Sequence, residues 1–294
     1  MDSGSSRYIY MDSCIADSYC PFTQSELILF YYSVWEYQQS KKLDVCIDIN
    51  DICEVISRST KTTLAACYKF VATSPFKPFL IGSYQSRNVE YFIRYGCIDA
   101  VNHRMYIYFN DNVKTYFNKT SDKLLKINIS LFSDFLTLKD ISCYKIKIYQ
   151  ALANEYNRFG TEDYMYIPLT MNEMYMLSGS FCFEEQNFIQ DYKEGRDISD
   201  ICNDIVISKH NSFQKMNFSK ILSVVIEPAI ETINSATDLF IEGVKPIKYI
   251  HSVKGMVFKV KRNSKKCDYN DICRNLTKED MEVFEKCRQI YYDK

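Results

Sequence analysis

The stretch from Phe213 to Arg262 constrains the fold most, because an amphipathic helix there runs directly into short strands that end in basic residues. Asn217 is the predicted N-cap of this helix. The apolar residues that recur on one helical face are Phe218, Ile221, Leu222, Val225, Ala229 and Ile233. Pro228 lacks a backbone N–H and clashes with the preceding turn, so a bend or break is expected there. Three short strands are predicted next, at about 239–242, 247–251 and 256–261.

The first half of the chain has the same order of elements. Thr23 and Glu26 form a predicted capping box that opens a helix. Ser59 or Thr60 caps a later helix that ends near Thr73, and its predicted inner face carries Leu64, Cys67, Tyr68 and Val71. Extended segments follow at about 88–94 and 104–109. A short strand that leads into a short helix is predicted at about 47–56. The order of helix, short helix, capped helix and hairpin is typical of a winged helix.

The pattern then repeats after a long helix at about 139–157. Thr170 and Glu173 form a second predicted capping box, ahead of the helix and strands between Asn217 and Arg262. The predicted fold class is α+β: two tandem winged-helix domains with a pseudo-two-fold relation, mainly helical with small antiparallel β-hairpins as wings. The predicted domains are a flexible arm (1–20), a first winged helix (21–158), a second (159–262) with an insertion at about 180–212, and a tail (263–294) that contains a helix.

The charge balance limits the kind of nucleic-acid binding that the chain can perform. The net charge is −1 over 294 residues, which argues against a protein that coats nucleic acid without specificity. The same net charge is compatible with a sequence-specific DNA-binding protein if its basic residues lie on one face. One local concentration comprises Lys254, Lys259, Lys261, Arg262, Lys265 and Lys266. Within it, the run from Lys259 to Lys266 is expected either to bind phosphate or to be a solvated segment that leaves the sheet.

No catalytic, metal or cofactor motif is found in the sequence. A glycine-rich phosphate loop is absent, and none of the 12 cysteines forms a C-x-x-C pair. We therefore expect no enzymatic activity, no metal and no cofactor. No signal peptide opens the chain and no apolar run approaches 18 residues, so no membrane association and a cytoplasmic location are expected.

Polar residues concentrate at the start of the helix that follows Asn217. They are Asn211, Ser212, Lys215, Asn217, Ser219 and Lys220. A recognition helix meets the major groove of DNA with its N-terminal residues, where Asn binds adenine and Lys binds guanine or phosphate. The same residues would also suit an ordinary amphipathic helix with a solvated polar face.

Two further groups of residues are candidates for DNA contacts. Ser59, Thr60, Lys61 and Thr62 open the capped helix of the first half, where hydroxyl and N–H groups suit phosphate contacts. The alternative is a plain Ser/Thr cap. Lys248 and Lys254 flank the turns of the second wing, although lysines also decorate exposed strand edges.

The sequence also resembles the plasmid replication initiators of the RepA, RepB and RepE type. The residues that carry the resemblance are Phe218, Ile221, Leu222, Pro228, Ala229, Ile230, Glu231, Ile233, Asn234, Thr237, Asp238, the turn at Lys254 and Gly255, and 257–260. In the first half, Ser142, Tyr144 and Tyr149 stand where the family has its characteristic Ser, Tyr and Leu-Tyr. The resemblance covers roughly Phe22 to Arg262.

This resemblance implies a protein without enzymatic activity that binds repeated sites (iterons) in double-stranded DNA at a replication origin. It implies recruitment of the host replication initiator and helicase machinery, and an association with the plasmid or nucleoid. It also implies homodimers, formed through the first winged domain, that repress the protein's own gene. A repressor without initiator activity and a winged-helix protein-interaction scaffold are the alternatives. Genes flanked by direct repeats would favour initiation, and a lone inverted repeat would favour repression.

Overall fold

The structure is a computed structural model that describes residues 7–56, 59–81, 87–118, 124–135, 143–159, 164–178, 188–196, 218–250, 252–263 and 278–292. The chain divides into two compact units, Met1–Ile146 and Lys147–Lys294. The division lies within one helix, Tyr144–Phe159. Each unit contains helices and an antiparallel sheet of three strands.

The described helices of the first unit are α1 (Ser13–Ala16), α2 (Gln24–Ser40), α3 (Ile49–Ile56), α4 (Thr60–Thr73) and α5 (Val113–Tyr116). Its described strands are β1 (Tyr8–Asp12), β2 (Asp44–Asp48), β3 (Phe79–Ile81), β4 (Asn88–Glu90), β5 (Ile93–Asp99), β6 (Arg104–Phe109) and β7 (Leu124–Asn128). The three-stranded sheet has the order β2-β6-β5, and two further pairs are β1-β7 and β3-β4. Short 3₁₀ turns occupy Ser74–Phe76 and Ile129–Phe135.

Local capping fixes where the helices of the first unit begin. The predicted capping box is confirmed at α2: the Thr23 side chain accepts a hydrogen bond from the Glu26 N–H (3.3 Å), and Glu26 accepts one from the Thr23 N–H (2.8 Å). Ser59 is the N-cap of α4, where its hydroxyl accepts from the Thr62 N–H. These bonds satisfy donors that the first helical turn leaves without intrahelical partners.

Aromatic side chains form the core of the first unit. The rings in mutual contact with Phe30 include those of Phe22, Phe79, Phe92, Phe109 and Phe117. Phe70 of α4 joins this cluster against Phe22, with ring centroids 6.2 Å apart. The expectation that Tyr68 is buried was wrong, because α4 turns Phe70 to the core and leaves Tyr68 exposed.

The second unit begins within α6 (Tyr144–Phe159) and continues with β8 (Met165–Thr170), α7 (Met171–Ser178) and α8 (Phe188–Lys193). Helix α9 follows in three segments: Phe218–Ile221, a π-helical turn at Leu222–Ile226, and Glu227–Ala236. The last elements are β9 (Leu239–Tyr249), β10 (Ser252–Arg262) and α10 (Lys278–Tyr292). The sheet has the order β8-β10-β9 with antiparallel neighbours.

The second capping box is also confirmed, since Thr170 and Glu173 exchange hydrogen bonds at the start of α7. The expectation of three strands after α9 was wrong, because Leu239–Tyr249 is one continuous strand that includes Pro246. Strand β9 lies at the edge of its sheet, where a proline is tolerated when its nitrogen faces away from the neighbouring strand.

Helix α10 packs on the outer face of the second sheet. Its Cys287 is buried with Tyr166 and Val257, and Phe284, Ile290 and Tyr291 extend this cluster. The Tyr166 hydroxyl donates to the Tyr292 hydroxyl, and the Lys245 amine donates to the Tyr291 carbonyl. The helix of the tail is therefore an integral part of the second unit.

Both units share one topology. In each, a long helix (α2 or α6) precedes the first strand of the sheet (β2 or β8), which leads directly into a short helix (α3 or α7). A third helix (α4 or α9) then precedes a hairpin that completes the sheet (β5 and β6, or β9 and β10). The first strand pairs with the last in both sheets. This is the winged-helix topology, and the chain is an α+β protein with two tandem copies of it.

Candidate nucleic-acid interface

Helix α9 occupies the position of the third helix of a winged helix. One of its faces is buried and the opposite face is exposed. Its buried side chains are Ile221, Val225, Ile226, Ala229, Ile233 and Ala236. Two of the predicted contact residues, Ser219 and Lys220, lie exposed in its first turn. The other four, Asn211, Ser212, Lys215 and Asn217, lie outside the described residues.

The exposed face of α9 extends further than the sequence predicted. Ser223, Val224 and Glu227 continue it beyond Lys220, and Val224 is 48% exposed. From Lys220 to Glu227 the helix rises about 10 Å, which spans about three base-pair steps. The sequence signal for these residues was their place opposite the apolar stripe. Over this length the exposed face presents four different groups in succession: the amine of Lys220, the hydroxyl of Ser223, the apolar side chain of Val224 and the carboxylate of Glu227.

A bend or break was expected at Pro228, and the structure has a π-helical turn just before it, at Leu222–Ile226. Pro228 cannot donate the N–H that an α-helical turn requires at this point, and the wider turn accommodates that loss. Helical hydrogen bonding resumes after it, and the Thr232 hydroxyl donates to the Pro228 carbonyl at 2.9 Å. The turn coincides with Ser223 and Val224, so it alters the spacing of side chains on the exposed face.

The second wing presents the two predicted lysines at its tip. Lys248 and Lys254 are exposed, and neither forms an ion pair with another residue that the structure describes. Lys254 lies at a β-bulge, because Val253 pairs with Lys248 whereas Gly255 pairs with Ile247. The expectation of a turn at Lys254 and Gly255 was wrong: the hairpin reverses between Tyr249 and Ser252.

The basic residues at the end of β10 are half-buried and contact neighbouring side chains. The Lys259 side chain is 13% exposed, pairs with Glu242 and lies 4.1 Å from the centre of the Tyr164 ring. Lys261 donates to the Tyr164 hydroxyl at 3.0 Å, and Arg262 pairs with Asp238 at 3.2 Å. Each of these three side chains is therefore engaged with a neighbouring residue of the second unit. Lys265 and Lys266 lie outside the described residues.

In the first unit, some of the polar groups at the start of α4 cap the helix and the others are exposed to solvent. The Ser59 and Thr62 hydroxyls are 3.0 Å apart, and the Thr63 hydroxyl donates to the Ser59 carbonyl. Thr60 and Lys61 point into solvent, and Lys69 continues the exposed face along the helix. A cap therefore explains Ser59 and Thr62, whereas Thr60 and Lys61 have no such structural role in the described part of the chain.

Within the described ranges, no group of three or more His, Cys, Asp or Glu side chains is placed to hold a metal ion. None of the helices described has both the length and the apolar character that are needed to cross a membrane.

Solved structures with a similar fold were found, although no protein-family model and no curated protein sequence matches the chain. A crystal structure of the Pi initiator protein in complex with iteron DNA superposes with a TM-score of 0.61 at 9% identity, covering 88% of this chain and 98% of that chain. The chain has the fold of the Rep-type replication initiators. A structure of domains 2 and 3 of RctB was also found, with a TM-score of 0.41, 9% identity and 82% of each chain covered.

Proposed function

We propose that the chain is a replication initiator that binds repeated origin sites (iterons) in the double-stranded DNA of a plasmid or other mobile element. The observation that carries the proposal is the third helix of the second unit. Its inner face is buried on the sheet, its outer face is polar, and the adjoining wing carries two exposed lysines. The likeness in fold to the Pi protein, whose structure contains iteron DNA, supports this assignment.

In this proposal, each exposed group has a defined part in binding. The start of α9 contacts base edges through Ser219 and Lys220, together with Lys215 and Asn217, and Asn211 and Ser212 add further contacts to DNA. Lys248 and Lys254 of the wing contact phosphates, which add affinity without sequence preference. Thr60 and Lys61 at the start of α4 contact the DNA backbone in the same way.

The proposal extends to the setting in which the chain works. It acts as a cytoplasmic protein on plasmid or nucleoid DNA, without enzymatic activity of its own, and recruits the host initiator and helicase machinery. A homodimer that represses the protein's own gene belongs to the same proposal.

A mobility-shift titration at fixed salt tests the proposal, with DNA flanking the protein's own gene as one probe and a scrambled duplex of equal length as the other. Binding about a hundredfold tighter to the flanking DNA, in a ladder of discrete complexes, is the expected result for an iteron-binding initiator. A single specific complex would favour a repressor instead. Weak and equal binding to both probes would reject sequence-specific binding and favour a protein-interaction scaffold.

Lys220→Ala and Lys248→Ala separate the two kinds of contact in the same assay. Loss of a base contact costs about 1–3 kcal/mol on the specific probe and relaxes the preference at one position. Loss of a phosphate contact weakens binding to both probes alike. Lys286→Ala, an exposed lysine on α10, is the matched control and is expected to leave both affinities unchanged.

A further inference from the structure

The tip of the second wing carries two exposed apolar side chains. Tyr249 is 67% exposed and Ile250 is 75% exposed, at the point where β9 ends. Tight hairpin turns ordinarily use Gly, Asn or Asp, which tolerate the backbone geometry and interact well with water. An isoleucine and a tyrosine at this tip therefore need a reason that folding does not supply.

The backbone conformation of Ile250 strengthens this argument. Its φ angle is 54°, in the left-handed region, where a β-branched side chain crowds the backbone. Glycine or asparagine would occupy the same position with less strain. Strain of this kind tends to be found at sites that contact a ligand. The tip thus combines an exposed apolar group with a conformation that disfavours that group.

Two lysines flank the apolar tip. Lys248 precedes Tyr249 on β9, and Lys254 is at the bulge of β10, so one amine extends from each strand of the hairpin. A ligand that fits this pattern has anionic groups on two sides of an apolar surface. The minor groove of DNA has this chemistry, because phosphates line both of its edges and the stacked bases lie between them.

We propose that Ile250 is a wedge that enters the minor groove next to the bases contacted by α9, partly unstacks one base step and kinks the duplex. This inference rests on the proposed function and adds a mechanical step to it. Lys248 and Lys254 hold the phosphates on either side, while Tyr249 covers the sugar edge of the opened step. Pyrimidine–purine steps unstack most easily, so the binding site carries a TA or CA/TG step at a fixed distance from the contacted bases.

The first wing provides an internal comparison. Val101 is 90% exposed at its tip, but the Asp99 carboxylate beside it accepts hydrogen bonds from the Val101 and Asn102 N–H groups at 3.1 and 3.0 Å. The hydrogen bond from the Asn102 side chain lowers the pKa of Asp99, which keeps this carboxylate charged. A negative charge at the tip opposes entry between phosphates, so Val101 serves as the matched control for Ile250.

The experiment measures distortion of the DNA as well as affinity. Duplexes of about 30 base pairs that the wild-type protein selects from a random pool carry dyes at both ends, which report bending by energy transfer. A second version carries 2-aminopurine at the TA or CA step, whose fluorescence rises when the base unstacks. The wild-type protein is expected to shorten the end-to-end distance and to raise this fluorescence.

Ile250→Gly removes the wedge and relieves the strained backbone at the same time. We expect most of the bend and the fluorescence increase to disappear and affinity to fall about tenfold, while Tm rises by about 2–4 °C. Ile250→Ala removes most of the wedge, so the bend should be lost. It keeps a Cβ at a positive φ angle, so part of the backbone strain remains and Tm should rise less than in Ile250→Gly. Val101→Gly should leave bending and fluorescence unchanged.

The outcomes separate this inference from the proposed function. Specific binding to DNA that stays straight, or an Ile250→Gly protein that bends DNA as the wild type does, would overturn the wedge and leave the initiator function standing. If the wild-type protein selects no duplex from the pool, the proposed function fails and the wedge with it.

Discussion

The Tyr149 hydroxyl donates a 2.7 Å hydrogen bond to one oxygen of the Asp238 carboxylate, whose other oxygen pairs with Arg262 at 3.2 Å. Arg262 also donates to the Asn157 side chain at 3.0 Å and lies over the Tyr156 ring. The Asp238 carboxylate, between α9 and β9, therefore joins α6 to the end of β10. This network fixes the segment that follows α9 relative to the end of strand β10.

Tyr149→Phe keeps the ring and removes only the hydroxyl. A hydrogen bond to a charged group contributes about 1.5–3 kcal/mol, so we expect the free energy of unfolding of the second unit to fall by that amount in a denaturant titration. Tyr68→Phe is the control, because Tyr68 is exposed on α4, and its effect should stay below about 0.5 kcal/mol. Equal losses in the two variants would show that the Asp238 network does not stabilise the unit.

Two glycines of the second sheet have different neighbours, and the difference is testable. A Cβ at Gly243 would lie 2.6 Å from the Tyr291 hydroxyl of α10, whereas a Cβ at Gly255 would collide with the Leu169 backbone carbonyl of β8. A side chain can move, but paired strand backbone cannot. We expect Gly243→Ala to cost about 1 kcal/mol and Gly255→Ala about 3 kcal/mol or more, measured by denaturant unfolding.

A second substitution distinguishes the two causes. Tyr291→Phe removes the hydroxyl that Gly243→Ala displaces, so the double variant should be close to Tyr291→Phe alone in stability. The same substitution should not rescue Gly255→Ala, because its obstacle is backbone. Additive losses for Gly243→Ala and Tyr291→Phe would contradict the close contact between α10 and β9.

The order of elements could be predicted from the sequence because it depends on local signals. The two capping boxes, at Thr23 with Glu26 and at Thr170 with Glu173, marked the starts of α2 and α7. Apolar periodicity marked the inner face of α9. Such signals lie within a few residues of each other, and the structure preserves them because tertiary packing does not oppose them.

The partners of the charged and aromatic residues could not be predicted, because they are distant in sequence. Tyr166 meets Tyr292 and Arg262 meets Asn157 across more than one hundred residues. In the same way, the apolar stripe of α4 predicted Tyr68 on the inner face. The aromatic cluster around Phe22 instead orients the helix through Phe70, which no local pattern specifies.

Glu26 makes the first unit sensitive to acid. Burial by itself raises the pKa of this carboxyl, but hydrogen bonds from Lys77, the Thr23 N–H and Thr73 outweigh burial and bring the pKa below its ordinary 4.5. The unfolded chain therefore takes up this proton at a higher pH than the folded chain does. The stabilisation is complete above the ordinary pKa and is lost as the pH falls through the lower, folded value.

Glu26→Gln should therefore flatten the acid limb of a stability–pH curve that reports on the first unit, while lowering stability at neutral pH. Lys77→Met leaves the buried carboxylate without its cation, so a loss of about 3 kcal/mol at neutral pH is expected. Asp111→Asn is the control, because its ion pair with Lys114 is exposed. An acid limb unchanged in Glu26→Gln would contradict this assignment.

The distribution of lysines predicts how DNA binding depends on salt. Several basic residues are engaged in ion pairs, including Lys77, Lys259 and Arg262. Lys61, Lys69, Lys248 and Lys254 are exposed and have no ion pair with any residue in the described part of the chain. If these four contact phosphates, the slope of log K against log salt concentration is about −4, since each contact contributes about −0.9.

Replacing each of the four lysines singly by alanine should flatten this slope by about one unit and weaken specific and scrambled probes equally. Lys114→Ala is the matched control: its amine already pairs with Asp111 on an exposed turn, so the slope should not change. A net charge of −1 argues for weak non-specific binding, so the proposed base contacts of α9 would determine most of the specificity ratio. A slope that stays the same in all four variants would place the phosphate contacts elsewhere on the chain.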